Sequence, residues 1–364
     1  MDDLVGRRLG QYQLREVIRR GGGSTLYKAY QDPLHRWVAV RVLGAPGDPE
    51  FGARFEREMR SVARLQHPGI VPILDHGRHA AFAYIVTAYV EDGGRLEDLL
   101  GRPLAPASAC ELIGHVLVAL AFAHDHGVVH RDLKPANILM LSPTWPMLAN
   151  FGVARMLGGD DQGPSPGPRK VVGTAAYMAP EQAFGLPAEP RTDLYSAGIV
   201  LYEMLTGRVP FDEPTPAATL RRQAYEQPPR LRAAGAPDVP AEVEAIVVRA
   251  LAKDPARRFA TAAEMAGAVR AALAVIAPGS ATAEAEALAE AYAAGVRAYA
   301  AGRWDEAVEQ LGRVLADDPG YEDVEELFET ARAERDGQAG PPTPGGEGPM
   351  APVGPTPVIP GVAR

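Results

Sequence analysis

His130-Arg131-Asp132-Leu133-Lys134-Pro135-Ala136-Asn137 gathers an acid, a base and an amide in one short, proline-broken stretch, and the rest of the chain is read outward from it. Upstream lie Val38-Ala39-Val40-Arg41 and the glycine-containing segment Ile18-Arg19-Arg20-Gly21-Gly22-Gly23-Ser24-Thr25-Leu26. Downstream come Asn150-Phe151-Gly152 and Gly173-Thr174-Ala175-Ala176-Tyr177-Met178-Ala179-Pro180-Glu181. Thr192-Asp193-Leu194-Tyr195-Ser196-Ala197-Gly198 and Asp254-Pro255-Ala256-Arg257-Arg258-Phe259 follow. Taken singly, Asp132 reads as a surface acid beside a helix, and three glycines read as a turn. It is their order along one chain that carries information.

The apolar pattern separates two regions. Residues 11–90 read as a strand-rich lobe with one helix, because short β-branched runs alternate with turn clusters such as Gly44-Ala45-Pro46-Gly47. The helix is expected over 49–65, where Phe51, Phe55, Met59, Val62 and Leu65 fall close to one face. Residues 91–276 read as mainly helical, with a breaker-rich loop at Asp160 to Pro168. The class expected is α+β.

In that order the stretches resemble the motifs of eukaryotic-type protein kinases, and bacterial serine/threonine kinases above all, given Lys134 after the catalytic aspartate and Thr174 before the alanine-proline-glutamate turn. The resemblance implies a bilobal protein-kinase fold over 11–276, with a β-rich N-lobe (11–90), a helical C-lobe (91–276) and residues 1–10 as a leader. It implies ATP and magnesium as cofactors and protein serine or threonine as substrate. Asp132 would orient the attacking hydroxyl and accept its proton, Lys134 would steady the γ-phosphate, and Asn137 would hold a magnesium ion. Ile18 and Gly21 would cover the nucleotide, Leu26, Ala39 and Leu139 would wall the adenine, and Thr87 would be the gatekeeper. His130 and Phe151 map to the regulatory stack, Arg131 to the arginine before the catalytic aspartate, and Asp193 to the start of the buried helix behind the site. Arg258 would pair with Glu181.

The sequence departs from the family's pattern in three places. Aligned on Leu26, the family's first glycine is Arg19, the second Gly21 and the third Ser24. The strand lysine that bridges phosphate to a helix glutamate, here Glu58, is Arg41. Arg41 keeps the charge and offers Glu58 a bidentate fork, but its planar guanidinium is no substitute for a compact ammonium. The metal-binding aspartate is Asn150, a neutral oxygen where magnesium favours charged ones. If the changes at Arg41 and Asn150 each cost about 3 kcal/mol at the transition state, the rate falls on the order of 10²-fold per site. Lys28 shares strand parity with Leu26 and is a candidate replacement cation. Between Gly152 and Gly173 Ser165 is the only hydroxyl residue. The expectation is a pseudokinase acting as a signalling scaffold or binding module. The alternative is an active serine/threonine kinase with an atypical Arg41/Asn150 site.

Past a linker at 277–284, Gly295, Gly302, Trp304, Ala307, Leu311 and Pro319 resemble one tetratricopeptide repeat, and a helix over 321–335 would cap it. A generic amphipathic hairpin has the same pattern. This small helical domain, 285–336, would need the kinase lobe, a second copy in a homodimer or a protein partner to cover its face. Residues 337–364 are rich in proline and glycine and are expected to be disordered.

The 364 residues are 46% hydrophobic and 23% charged, ordinary for a soluble globular chain. A net charge of -9 argues against nonspecific nucleic-acid binding. A single cysteine, Cys110, excludes an intramolecular disulfide and reads as a small buried apolar residue. Met1 to Gly10 lacks the apolar core of a signal peptide, and the most apolar run, Val116 to Ala123, falls short of the ~18 residues that span a bilayer. A cytoplasmic location without a membrane span is expected.

Overall fold

Period-two alternation builds the N-terminal lobe. The computed structural model describes residues 4–21, 23–44, 51–79, 82–90, 94–153, 175–277, 280–300, 302–318, 321 and 324–336. Six antiparallel strands form one sheet in the order β1-β2-β3-β4-β6-β5: β1 (Arg8–Leu9), β2 (Tyr12–Gly21), β3 (Ser24–Gln31), β4 (Arg36–Gly44), β5 (Ile73–His79) and β6 (Phe82–Ala88). Tyr27, Ala29, Val38, Val40, Val42 and Val86 share one face and are 0% exposed. The residues between them, Leu26, Lys28, Ala39, Arg41 and Thr87, share the other face, where burial is less complete. One face is therefore closed core, and the other is a wall turned to the second lobe. The leader expected over 1–10 belongs to this sheet from Leu4 onward, because β1 pairs with β2 and Leu4 and Leu9 are buried in the same apolar cluster.

Helix α1 (Phe51–Val62) buries Phe51, Phe55, Met59 and Val62, as its spacing requires, and Leu65 just beyond it is buried too. The C-lobe follows with α2 (Leu96–Leu99), α3 (Pro106–Asp125), the hairpin β7 (Ile138–Ser142) and β8 (Trp145–Leu148), then α4 (Pro180–Ala183), α5 (Pro190–Thr206), α6 (Pro216–Tyr225), α7 (Ala241–Ala250) and α8 (Ala262–Ile276). Cys110 is buried in this core. Helix α3 is, against expectation, long and apolar enough to cross a membrane by length and composition. Nine of its side chains pack into the C-lobe core instead. Fourteen of the 17 residues of α5 are buried, so this helix is enclosed on every side. Gly198 makes that possible: a Cβ there would stand 2.7 Å from the Cβ of Ala250 on α7.

Three further helices, α9 (Ser280–Ala300), α10 (Trp304–Asp317) and α11 (Val324–Arg335), share a core of Ala298, Ala307, Leu311, Val314, Val324, Phe328 and Ala331. Helix α9 begins inside the stretch expected as linker. Gly295 lets α9 meet α10, since a Cβ at this position would fall 2.7 Å from Leu311 Cγ. Pro319 and the tail from 337 lie outside the described residues.

The helical unit docks on α3 through His115. Its Nε2 donates to Asp317 Oδ1 at 2.7 Å and its Nδ1 to the Thr144 carbonyl at 3.3 Å, while the ring lies 5.4 Å from that of Trp145. Two acceptors ask both ring nitrogens to carry protons, so the contact favours imidazolium. Burial opposes the charge, but the hydrogen bond and charge of Asp317, with Glu111 on α3, outweigh it and raise the pKa. A raised histidine pKa stabilises below the unfolded value of about 6.5 and loses that contribution as pH rises through the folded value. The half-exposed pair contributes no more than about 1 kcal/mol. Amide exchange in α10, corrected for intrinsic rates, should therefore lose protection between pH 6 and pH 8.5. His115→Phe should abolish that difference.

Candidate active site

Two lobes meet at Arg41. It sits in β4 opposite Leu26 of β3 and Ile85 of β6, on the half-buried face of the sheet. Its Nη1 donates to Ser24 Oγ at 3.0 Å and its Nη2 to Asn150 Oδ1 at 2.8 Å. Ser24 stands where the family's third glycine would be, and its hydroxyl donates in turn to the Gly21 carbonyl at 3.3 Å. Asn150 belongs to the C-lobe, so one guanidinium ties the glycine-containing hairpin to the segment after β8. Glu58 is buried on α1. Burial first, then the charges of Arg95 and Arg19, lower the Arg41 pKa to about 10, while Asp132 opposes them. Arg41 remains a cation at neutral pH.

The bonds continue from there. Asn150 Nδ2 donates to Asn137 Oδ1 at 2.8 Å. Asn137 Nδ2 donates to the carbonyl and to Oδ2 of Asp132, at 2.7 and 3.0 Å. Lys134 Nζ holds both carboxylate oxygens of Asp132, at 2.8 and 2.7 Å. The hairpin β7–β8 brings the two amides together: Asn137 precedes β7, Asn150 is the second residue after β8, and the Ala149 amide donates to the Asn137 carbonyl at 2.9 Å. Asn150 adopts φ 72°, a left-handed conformation that asparagine tolerates better than most residues.

The loop carrying Asp132 is fixed from behind. Asp193 on α5 is 0% exposed and accepts from the amides of His130 and Arg131, at 2.7 and 2.8 Å, and from His124 Nε2 at 2.9 Å. His130 donates from Nε2 to the Ala149 carbonyl and accepts at Nδ1 from the Asp132 amide. That pattern is the neutral ring, and burial lowers its pKa in the same sense. Its ring lies 4.6 Å from that of Phe151. Arg258 grips Glu181 with two bonds, at 2.7 and 2.8 Å, and Thr192 Oγ1 adds a third at 2.8 Å. Burial works against the Glu181 charge, but Arg258 outweighs it and holds the carboxyl below its usual range.

The residues expected to wall the nucleotide lie on strands. Ala39 pairs with Thr87, Leu26 with Arg41, and Leu139 on β7 bridges to Arg95. Ile18 is exposed on β2, and Gly21 ends that strand. Lys28 points its ammonium at the rings of Trp37 and Tyr89, 4.6 and 4.5 Å away, and so is engaged there rather than at Arg41. Thr174 and Ser165 lie outside the described residues. Sequence reasoning missed the roles of Ser24 and Arg95. A hydroxyl in place of a glycine beside an arginine was a usable signal for the first, and nothing local marked the second.

This geometry agrees with what the chain resembles. The protein kinase domain model matches residues 12–268. The chain belongs to the bacterial serine/threonine protein kinase family. It is 43% identical over 266 residues to serine/threonine-protein kinase PknB of Mycolicibacterium smegmatis, covering 70% of this chain and 42% of that one. It is 39% identical over 268 residues to serine/threonine-protein kinase PrkC of Bacillus subtilis, covering 72% of this chain and 40% of the relative. The chain therefore spans about two-fifths of the length of these relatives. A crystal structure of the PknI kinase domain of Mycobacterium tuberculosis superimposes with a TM-score of 0.59 at 28% identity, over 75% of this chain and 99% of that domain.

Magnesium, which kinases of this family use, does not fit the residues present. The oxygens of Asn137 and Asn150 that would face it are neutral, and each already accepts an N–H. Asp132 is the one carboxylate in the chain of bonds and is held by Lys134. Among the described residues no group of three His, Cys, Asp or Glu side chains gathers to hold a metal. A hard dication asks for charged oxygens. Elsewhere in the domain, Arg258→Met should strand the buried Glu181 and lower stability by about 3–5 kcal/mol in urea unfolding. Adding Glu181→Leu should restore most of it.

Proposed function

We propose that this kinase-family chain does not transfer phosphate and works instead as a binding or scaffolding module in signalling. One observation carries the reading: the Arg41–Asn150 hydrogen bond, which extends through Asn137 to Asp132. A working site of this family needs a phosphate-gripping cation at one end of that chain and charged metal ligands in the middle. Here the cation is spent on the amide, and the amides are spent on each other. Asp132 is positioned to orient a hydroxyl, but what would activate the phosphate is missing.

The helical unit supports the binding part of the reading. Its tetratricopeptide-like pairing of α9 with α10 makes a second element, beyond the lobes, on which a protein partner can be held. The partner and the location in the cell, for which the cytoplasm is the natural setting of such a module, belong to this proposal.

The test is transfer of labelled γ-phosphate from ATP by the purified chain, with magnesium and with manganese, beside Asp132→Ala. The expected result is incorporation no greater than in the variant. Robust incorporation lost in Asp132→Ala would favour the active kinase. The double variant Arg41→Lys/Asn150→Asp should gain transfer by on the order of 10²-fold or more, since each position is assigned about 3 kcal/mol. A gain of less than a few-fold would count against the reading.

A further inference from the structure

Three arginines surround the cleft, and the sequence pattern asks for none of them. Arg19 of β2 pairs with Leu26 of β3, which pairs with Arg41 of β4, so both arginines lie in one row across the sheet. Across the cleft, Arg95 precedes α2 and bridges to Leu139. Arg19 Nη1 and Arg95 Nη1 both reach Glu97 Oε1, at 2.9 and 3.5 Å. Their charges also bear on Arg41, so each stands within electrostatic range of it. Among the described residues Asp132, already held by Lys134, opposes their effect on Arg41, and Glu97 is shared by Arg19 and Arg95.

Three guanidinium groups so placed make the cleft a site for an anion. We propose that the cleft binds a nucleoside triphosphate without a divalent cation, the guanidinium groups of Arg19 and Arg95, with the charge of the amide-bound Arg41 behind them, neutralising the polyphosphate in place of metal. This rests on the reading that the site does not transfer phosphate. Guanidinium groups recognise phosphate oxygens bidentately, and such charge-assisted bonds are stronger than neutral ones. The competing Arg19–Glu97 pair is exposed, 46% and 35% at the two side chains, and pairs of that kind contribute little. A triphosphate can therefore displace Glu97 from Arg19 and Arg95. A base has an apolar wall beside the arginines, since Leu26 and Ala39 share the face of Arg41 and Leu139 is bridged to Arg95. That wall selects a nucleotide over a bare polyanion.

The experiment is calorimetric titration of the full chain with ATP in excess EDTA and again in excess magnesium, with adenosine and inorganic tripolyphosphate as separate probes. ATP should bind in EDTA at least as tightly as in magnesium, and more tightly than either probe. Arg19→Ala and Arg95→Ala should each weaken it by about ten-fold, as loss of a charge-assisted contact does. Glu97→Gln should strengthen it, a gain that misfolding cannot mimic. Asn150→Asp should make magnesium strengthen binding. No binding in EDTA, binding that requires magnesium, or tripolyphosphate binding as tightly as ATP would overturn the proposal. Labelled-phosphate transfer on the same preparation keeps the two readings apart. Transfer that needs Asp132 defeats the scaffold reading, whereas no transfer together with no metal-free binding defeats this inference alone.

Discussion

One carboxylate without water around it holds the centre of this molecule. Asp193 takes the amides of His130 and Arg131 and the ring of His124, and a buried carboxylate short of such partners would be costly. In satisfying it, the loop accepts φ 69° at Arg131, a conformation that costs a residue with a Cβ. The helix that carries Asp193 cannot yield, because it is enclosed on all sides and in contact with α7 at Gly198. The position of Asp132 is thus set from the interior of the C-lobe. Whatever happens at the front of the cleft, the loop keeps its active-looking shape.

The front is where this chain has gone its own way, and its changes fit one another chemically. A guanidinium carries more donors than an ammonium and needs acceptors for them. Ser24 supplies one where a glycine has no side chain, and Asn150 supplies another. An aspartate at 150 would accept from Arg41 too, but when ionised it could not donate to Asn137. Asparagine does both, so each amide is used from both ends. Arg41, Ser24 and Asn150 form one self-consistent arrangement, and restoring any one of them alone leaves the other two mismatched.

Much of this was legible in the sequence. The stack of His130 on Phe151 and the grip of Arg258 on Glu181 are what the family resemblance implied, and α1 follows from the spacing of Phe51, Phe55, Met59 and Val62. What was not legible depends on contacts between distant segments. Arg41 and Asn150 are 109 positions apart, and their bond exists only because the lobes close on each other. The leader and linker were misjudged for a related reason. Leu4 and Leu9 become core only when β1 finds β2, and α9 starts early because helix formation runs through the small polar residues that composition alone marks as a break.

The turn between β7 and β8 has two neighbours that seldom share an element. At its tip the Thr144 carbonyl and the Trp145 ring meet His115, and through His115 the appended helices. At its base stand Asn137 and Asn150. A strand advances roughly 3.3 Å per residue, so the five residues of β7 make a stiff spacer of about 15–17 Å between the two. The hairpin has its tip against His115, which holds the appendage, and its base at the amide chain. Asp317 on α10 and Asn137 on the floor of the cleft are thus linked through His115 and this paired strand.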